Sequence, residues 1–243
     1  MDKSSDLDLT LAEAAVETAY LRSAAIALRQ PTTYDRIRPY IDHYAPDDLA
    51  APILDAASGP GVWSRYLRQR GYRHLDAVDL LDNVDIPGVR YQRASLRSLP
   101  FPDATFDFCM LLSAIYYLDD PSAALREVHR VLKPGGCLLL TAHTRYSPYT
   151  ALRAFKRYLR LPSAAHLTCA HFESVAAYDR YLSAAGFEVI LRDGYRTALG
   201  IIGRALSRRL LGKTPPPHRT QGALLRWYKS WFAYHAILVA RKR

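Results

Sequence analysis

No apolar run in this chain approaches the roughly 20 residues that a helix needs to cross a bilayer, so no transmembrane helix is expected. Cysteine is scarce. Cys109, Cys137 and Cys169 stand far apart and in no metal-ligand spacing, which argues against a disulfide framework and against a zinc site. Cys109 and Cys137 lie inside apolar runs and read as small buried hydrophobes. No basic, apolar leader opens the chain. Met1-Asp2-Lys3-Ser4-Ser5-Asp6 is polar and partly acidic, unlike a secretory signal, and a cytoplasmic location is expected. No internal repeat of solenoid period is present.

What is there is a globular composition, 49% hydrophobic and 23% charged over 243 residues, enough for one domain with insertions. The formal net charge is +10. Nucleic-acid binding and capture of an acidic small substrate would both use it. Arginine outnumbers lysine and alanine is abundant, a bias that a GC-rich coding genome gives without any ligand, so the charge is weak evidence for either.

From Ala51 to Ile190, short apolar runs alternate with segments of helical period, the pattern of βαβ units around a parallel sheet. The predicted strands are Pro52–Ala56, His74–Val78, Val89–Gln92, Phe106–Leu112, Cys137–Thr141, Phe187–Leu191 and His235–Ala240. Asp119-Asp120-Pro121 supplies an N-cap followed by a first-turn proline. Ala124, Leu125, Val128, Val131 and Leu132 keep one apolar face, and Pro134-Gly135-Gly136 is expected to stop that helix. Ser174–Ala185 repeats the pattern and ends at Gly186. The fold class is therefore α/β, a doubly wound, mostly parallel seven-stranded Rossmann-like sheet.

Three segments fall outside the alternation. Residues 1–50 read as a helical N-terminal cap before a cofactor-binding core at 51–142. Residues 143–172, rich in Tyr, Arg and His, and residues 195–233, broken by Pro215-Pro216-Pro217, read as insertions that cover a substrate at the carboxyl ends of the strands. Ile201–Leu211 also has the character of a membrane-surface helix.

Ile53-Leu54-Asp55-Ala56-Ala57-Ser58-Gly59-Pro60-Gly61 is an apolar strand with an acidic residue, running into a glycine-bearing loop and then a helix. Small residues let the backbone approach a ligand, and the helix start offers free N–H groups. Asp79 ends the second strand, where a carboxylate can accept both hydroxyls of a ribose. A nicotinamide-binding fingerprint would want a third glycine where Ser64 stands.

This loop resembles motif I of the class I S-adenosylmethionine-dependent methyltransferases, acidic–x–Gly–x–Gly–x–Gly, with Ala57 at the first glycine. Leu99-Pro100-Phe101-Pro102-Asp103-Ala104-Thr105-Phe106-Asp107 is similar to a second segment of that family. Glu127-Val128-His129-Arg130-Val131-Leu132-Lys133-Pro134-Gly135-Gly136 is similar to a third. The resemblance implies S-adenosyl-L-methionine as cofactor and S-adenosyl-L-homocysteine as product. It implies that Asp55 orients the cofactor's amino group, that Ala57, Ser58, Gly59 and Gly61 line its methionine end, and that Asp79 holds the ribose. Leu80 would pack on the adenine, with Ser95 and Leu96 beside it. Serine at 95 cannot supply the charge that the family often places there. Leu112 and Ser113 would lie under the sulfonium.

The expected acceptor is a small molecule. The tyrosines Tyr116, Tyr117, Tyr146, Tyr149 and Tyr158 suit an aromatic or polycyclic compound of secondary metabolism, and they suit helix packing equally well. Where the acceptor must lose a proton, His143, directly after the fifth strand, is the expected base, with Tyr117, His171 and His166 as competitors. An imidazole ordinarily titrates near pH 6.5, suited to that task. The rival readings are an RNA or other nucleic-acid methyltransferase and a cofactor-binding isomerase or cyclase on the same fold. Against the first, Ser113-Ala114-Ile115-Tyr116 is not the Asn-Pro-Pro-Tyr type of amino-methylating DNA enzymes, and no Pro-Cys pair exists for cytosine-C5 chemistry. No metal is expected.

Overall fold

A computed structural model describes residues 31–81, 85–145, 158, 172–195 and 233–243, with the first five of these as backbone only. Among them, seven strands form one sheet: β1 (Ile53–Ala56), β2 (Leu75–Asp79), β3 (Arg90–Arg93), β4 (Phe106–Leu112), β5 (Leu132–His143), β6 (Phe187–Tyr195) and β7 (His235–Lys242). Their order is β3-β2-β1-β4-β5-β7-β6. The first five pair in parallel, and β7 runs antiparallel between β5 and β6. The strand order, not the strand direction, reverses between β1 and β4, the switch point where open α/β sheets bind ligands at their carboxyl edge. Every predicted strand is present.

The helices are α1 (Pro31–Tyr44), α2 (Val62–Gln69), α3 (Pro121–Val131) and α4 (Val175–Ala184), with a one-turn helix at Ile115–Tyr117. Two buried layers sandwich the sheet. Leu54, Val78, Leu138, Leu140 and Leu238 face Leu125 and Val128 of α3 and Tyr178 of α4. Ile53, Leu75, Leu139 and Val239 face Ile37 and Ile41 of α1 and Leu67 of α2. The strict alternation along β5 and β7 is the two-residue period of a strand covered on both sides. Cys109 and Cys137 are buried free thiols. Burial pushes both thiols up, that of Cys137 to about 11, so both are inert packing residues as read.

α3 starts as expected, with the Asp120 carboxylate accepting from the N–H of Ala123 at 2.9 Å and Pro121 in the first turn. Its end differs. The helix stops at Val131, before Pro134-Gly135-Gly136, and β5 begins at once with Leu132 paired to Phe106. Pairing with the neighbouring strand satisfies the backbone sooner than the Pro-Gly break would. Lys242 Nζ also donates to the carbonyls of His129 at 2.7 Å and Leu132 at 2.8 Å, holding the helix terminus. Within the cap predicted at 1–50, α1 is helical from Pro31. Residues 1–30 lie outside the described set, as do most of 143–172 and 195–233, including Tyr146, Tyr149, His166, His171 and Ile201–Leu211.

Candidate active site

β1 delivers the chain to the carboxyl edge at Ala56, and the next five residues turn it into α2. Ala57, Gly59 and Gly61 all adopt left-handed backbone, with φ of 61°, 54° and 76°. This explains why glycine recurs at every second position of the motif. Gly61 also caps α2, and a Cβ there would meet Ile86 Cδ1 at 2.1 Å, a collision with a buried side chain. Ala57 tolerates a conformation that costs an L-residue about 1–2 kcal/mol. Ala57→Gly relieves that strain but frees the unfolded chain by roughly 0.4–1 kcal/mol. The variant is expected to match or exceed the parent's stability by up to about 1 kcal/mol. A urea midpoint clearly below the parent's would show that the methyl packs usefully.

Two carboxylates bracket this loop. Asp55 is buried in β1, and its Oδ2 accepts from Ser64 Oγ at 2.6 Å. Burial, reinforced by the neighbouring charge of Asp79, pushes its carboxyl up to about 6 although the Ser64 hydroxyl pulls the other way. A buried carboxylate held this high gains from any cation placed beside it. Ser64, the residue that breaks a nicotinamide fingerprint, thus has a role of its own as the hydroxyl partner of Asp55. Its cue in the sequence is a serine one helical turn after the loop.

Asp79 ends β2 and is nearly buried. Its Oδ2 accepts from the N–H of Gly59 at 2.7 Å, and its Oδ1 from those of Leu80 at 2.8 Å and Leu81 at 3.2 Å. The N–H of Ser58 donates to the carbonyl of Val78 at 3.0 Å. The glycine loop and the β2 terminus are therefore one hydrogen-bonded unit. Leu80, just beyond, is 66% exposed, an apolar side chain left open at the ligand edge of the sheet. Ser95 Oγ accepts from the N–H of Arg97 at 3.2 Å, and Leu96 is buried in the core. These two residues shape the turn after β3.

β4 ends at Leu112, and Ser113 is again left-handed with φ of 60°. Its N–H donates to the carbonyl of Thr141 at 3.1 Å and to Thr141 Oγ1 at 2.9 Å, binding the ends of β4 and β5. Strained non-glycine backbone of this kind concentrates at functional edges. His143, at the end of β5, is 7% exposed. Its ring stacks on Tyr116 with centroids 4.4 Å apart and lies 4.5 Å from Tyr234 and 5.6 Å from Phe172. Its carbonyl accepts from Tyr178 Oη at 3.0 Å. Tyr117 is half-buried, 4.6 Å from Tyr116 ring to ring. Among the described residues, the expected ones fall mainly into two groups on one edge, a loop-and-carboxylate group at β1–β2 and an aromatic group at β4–β5, with Ser95 and Leu96 apart in the turn after β3. Sequence reasoning missed His235, Tyr195 and Tyr234 in the second group, which arrive from β7, β6 and the residue before β7.

The methyltransferase domain family matches residues 29–191, well over half of the chain. A malonyl-[acyl-carrier protein] O-methyltransferase of Erwinia billingiae is 29% identical over 165 residues, covering 65% of this chain and 64% of that protein. A ubiquinone/menaquinone biosynthesis C-methyltransferase of Escherichia coli O1:K1 / APEC is 44% identical over 102 residues, 36% of this chain and 41% of that protein. The chain spans less than two thirds of the length of these curated relatives. A Thermotoga maritima crystal structure described as a SAM-dependent methyltransferase, possible histamine N-methyltransferase, superposes with a TM-score of 0.65 at 18% identity, covering 94% of this chain and 100% of that one. Fold and motifs together define a class I S-adenosylmethionine-dependent methyltransferase. The chain belongs to the methyltransferase domain family, whose members of this class use S-adenosylmethionine.

Proposed function

We propose that the chain transfers a methyl group from S-adenosylmethionine to a small-molecule acceptor. The observation that carries this is the bonded unit of glycine loop and strand-end carboxylate, Gly59 to Asp79 at 2.7 Å, standing beside the exposed Leu80. The residues fit the cofactor. Asp55 favours a cation nearby, as the cofactor's ammonium is, Asp79 offers a carboxylate to a ribose, and Leu80 offers an apolar face to an adenine. When bound, the cofactor supplies an activated methyl electrophile. The protein's own task is then to align the acceptor and exclude water, worth on the order of 7–11 kcal/mol of barrier at best.

A small, flat acceptor is supported by Tyr117 and Phe172, half-buried rings beside the buried Tyr116 and His143, which offer stacking faces. The two relatives are named for methylation of malonyl-[acyl-carrier protein] and for ubiquinone/menaquinone biosynthesis, not for nucleic-acid methylation. Where the acceptor carries a proton on its nucleophilic oxygen or nitrogen, His143 takes it, with Tyr117 as the alternative base. Among the described residues no helix is long and apolar enough to cross a membrane.

The direct test is Asp79→Ala. It removes charge-assisted hydrogen bonds to the ribose, each worth roughly 1.5–3 kcal/mol, and it frees the loop that Asp79 holds. Affinity for S-adenosylhomocysteine is expected to fall at least tenfold with the overall fold retained. Unchanged affinity by calorimetry would rule out the assignment.

Asp55 gives a second test, through pH. Its folded carboxyl is raised to about 6, above its unfolded value, so the unliganded fold binds an extra proton between roughly pH 4 and 6. This group's contribution to stability therefore declines as pH rises through that window. A cofactor ammonium beside Asp55 favours the carboxylate. Binding near pH 6 is therefore expected to release a proton, and affinity to rise from pH 5 to 7. Calorimetry in two buffers of different ionisation enthalpy reads the release, and Asp55→Asn should abolish it. Proton release that persists in the variant would assign it elsewhere.

A further inference from the structure

His143 and His235 are paired residues of adjacent antiparallel strands, at the last residue of β5 and the first of β7. Their rings stand perpendicular with centroids 4.2 Å apart. Both are buried, at 7% and 8% exposure. Each is also stacked on a tyrosine, His143 on Tyr116 and His235 on Tyr195, whose ring lies 4.4 Å away and 6° from parallel. Tyr234 packs against both imidazoles. The result is a continuous tier, Tyr116–His143–His235–Tyr195, crossing the ends of the last three strands of the sheet.

Two cations this close in a buried site are strongly disfavoured. Among the described residues, the titratable groups facing the tier include Tyr117, Tyr234 and the Tyr178 hydroxyl on the His143 carbonyl, besides the tier's own Tyr116 and Tyr195. Arg36 of α1 lies 5.3 Å over the Tyr195 ring. Phenols are ordinarily neutral near pH 7, and burial drives that of Tyr116 well above its ordinary value. The Arg36 guanidinium stands on the His235 side of the tier, where it adds to the cost of a second proton on the imidazoles.

We propose that His235 is a positioning residue for the methyl-transfer reaction: it shares a single proton with His143, so that one imidazole of the pair stays neutral and able to accept a proton from the acceptor. This rests on the reading of His143 as the base. In the balanced step, the acceptor's O–H or N–H proton passes to a ring nitrogen of His143. The acceptor's electron pair forms the bond to the methyl carbon. The carbon–sulfur bond breaks with its electrons remaining on sulfur, giving S-adenosylhomocysteine. His235 makes no bond to the acceptor. It sets the protonation state in which His143 meets it.

The test is a pH titration of histidine ring signals by NMR on the full chain, labelled at histidine and saturated with S-adenosylhomocysteine. His143→Gln and His235→Phe assign the two signals, and His235→Gln takes the place of the second variant if that one does not fold. Wild-type protein is expected to show two coupled steps separated by more than one pH unit. Each single variant should show one ordinary step for the histidine that remains. With an acceptor in hand, the acidic limb of the rate profile should move to higher pH in His235→Phe. Independent titration, with the His143 midpoint the same in wild type and His235→Phe, would overturn the proposal. If instead the coupling is present but His143→Gln turns over at the wild-type rate, the base assignment fails while the coupled pair stands.

Discussion

His143→Gln is expected to cut turnover by about 10²–10⁴-fold while leaving affinity for S-adenosylhomocysteine nearly intact. The split follows from position. The cofactor-facing groups, Asp55, Asp79 and the loop Ala57–Gly61, hang on the ends of β1 and β2, where their bonds are made to each other and to Ser64. His143 stands two strands away, past β4, on the strand whose Thr141 carbonyl and hydroxyl accept from the N–H of Ser113. Glutamine keeps much of the side-chain volume and a polar end but cannot take a proton. Losing the buried ring stack on Tyr116 should cost about 0.5–1.5 kcal/mol of stability, while the backbone pairing of His143 with His235 and the Tyr178 bond to its carbonyl remain. A variant that keeps wild-type turnover from pH 6 to 9 would show that alignment alone carries the reaction, or that Tyr117 takes the proton. His143→Gln with Tyr117→Phe separates these two outcomes.

The parts of the site that the sequence displays are those built by local chain. β1, its glycine loop and α2 are contiguous, so the left-handed turns at Gly59 and Gly61 and the acidic Asp55 are visible as one motif. Asp79 is legible because a strand that follows a crossover helix must return to the same edge. The aromatic tier is different in kind. Tyr195 and His235 are forty residues apart in sequence, and they stack only because β7 runs antiparallel between β5 and β6. Nothing in the composition of Phe187–Leu191 or His235–Ala240 states that pairing. β6 in fact continues to Tyr195 and β7 to Lys242, beyond the apolar runs that announced them, because ladder hydrogen bonds to a neighbouring strand extend a strand past its hydrophobic core. The same physics ended α3 early, at Val131.

The two family-like segments 99–107 and 127–136 also acquire a physical meaning, and it is one of architecture. The Arg130 guanidinium forks onto the Glu127 carboxylate, Nε to Oε1 and Nη2 to Oε2, both at 2.9 Å. It donates further to the carbonyls of Phe101 at 2.8 Å and Leu99 at 3.0 Å, and to Asp103 Oδ1 at 2.8 Å. Glu127 Oε2 in turn accepts from the N–H of Leu99 at 2.9 Å. One turn of α3 thereby clasps the chain entering β4, and Lys133 adds a bond to Asp107 at 2.7 Å. Each of the two segments supplies half of this latch.

Arg130→Ala is accordingly expected to destabilise the fold by about 2–4 kcal/mol. Bonds involving a charged partner contribute roughly 1.5–3 kcal/mol each when dry, but the Arg130 side chain is 31% exposed, and water will replace part of what is lost. Arg130→Lys should recover only a minor share, since an ammonium cannot span Glu127 and two carbonyls at once. The latch also predicts a pH dependence. The Arg130 fork, helped by the Leu99 N–H against a smaller opposing effect of burial, holds the Glu127 carboxyl below its ordinary value. Its stabilisation is then fully present above the unfolded glutamate value near 4.3 and is lost as pH falls through the lower folded value. Urea unfolding at pH 7 and at pH 3 reads both effects. The difference between wild type and Glu127→Gln should shrink towards acid. A constant difference across that range would mean that Glu127 acts through packing and its neutral hydrogen bond, and that the charge of the latch contributes nothing measurable.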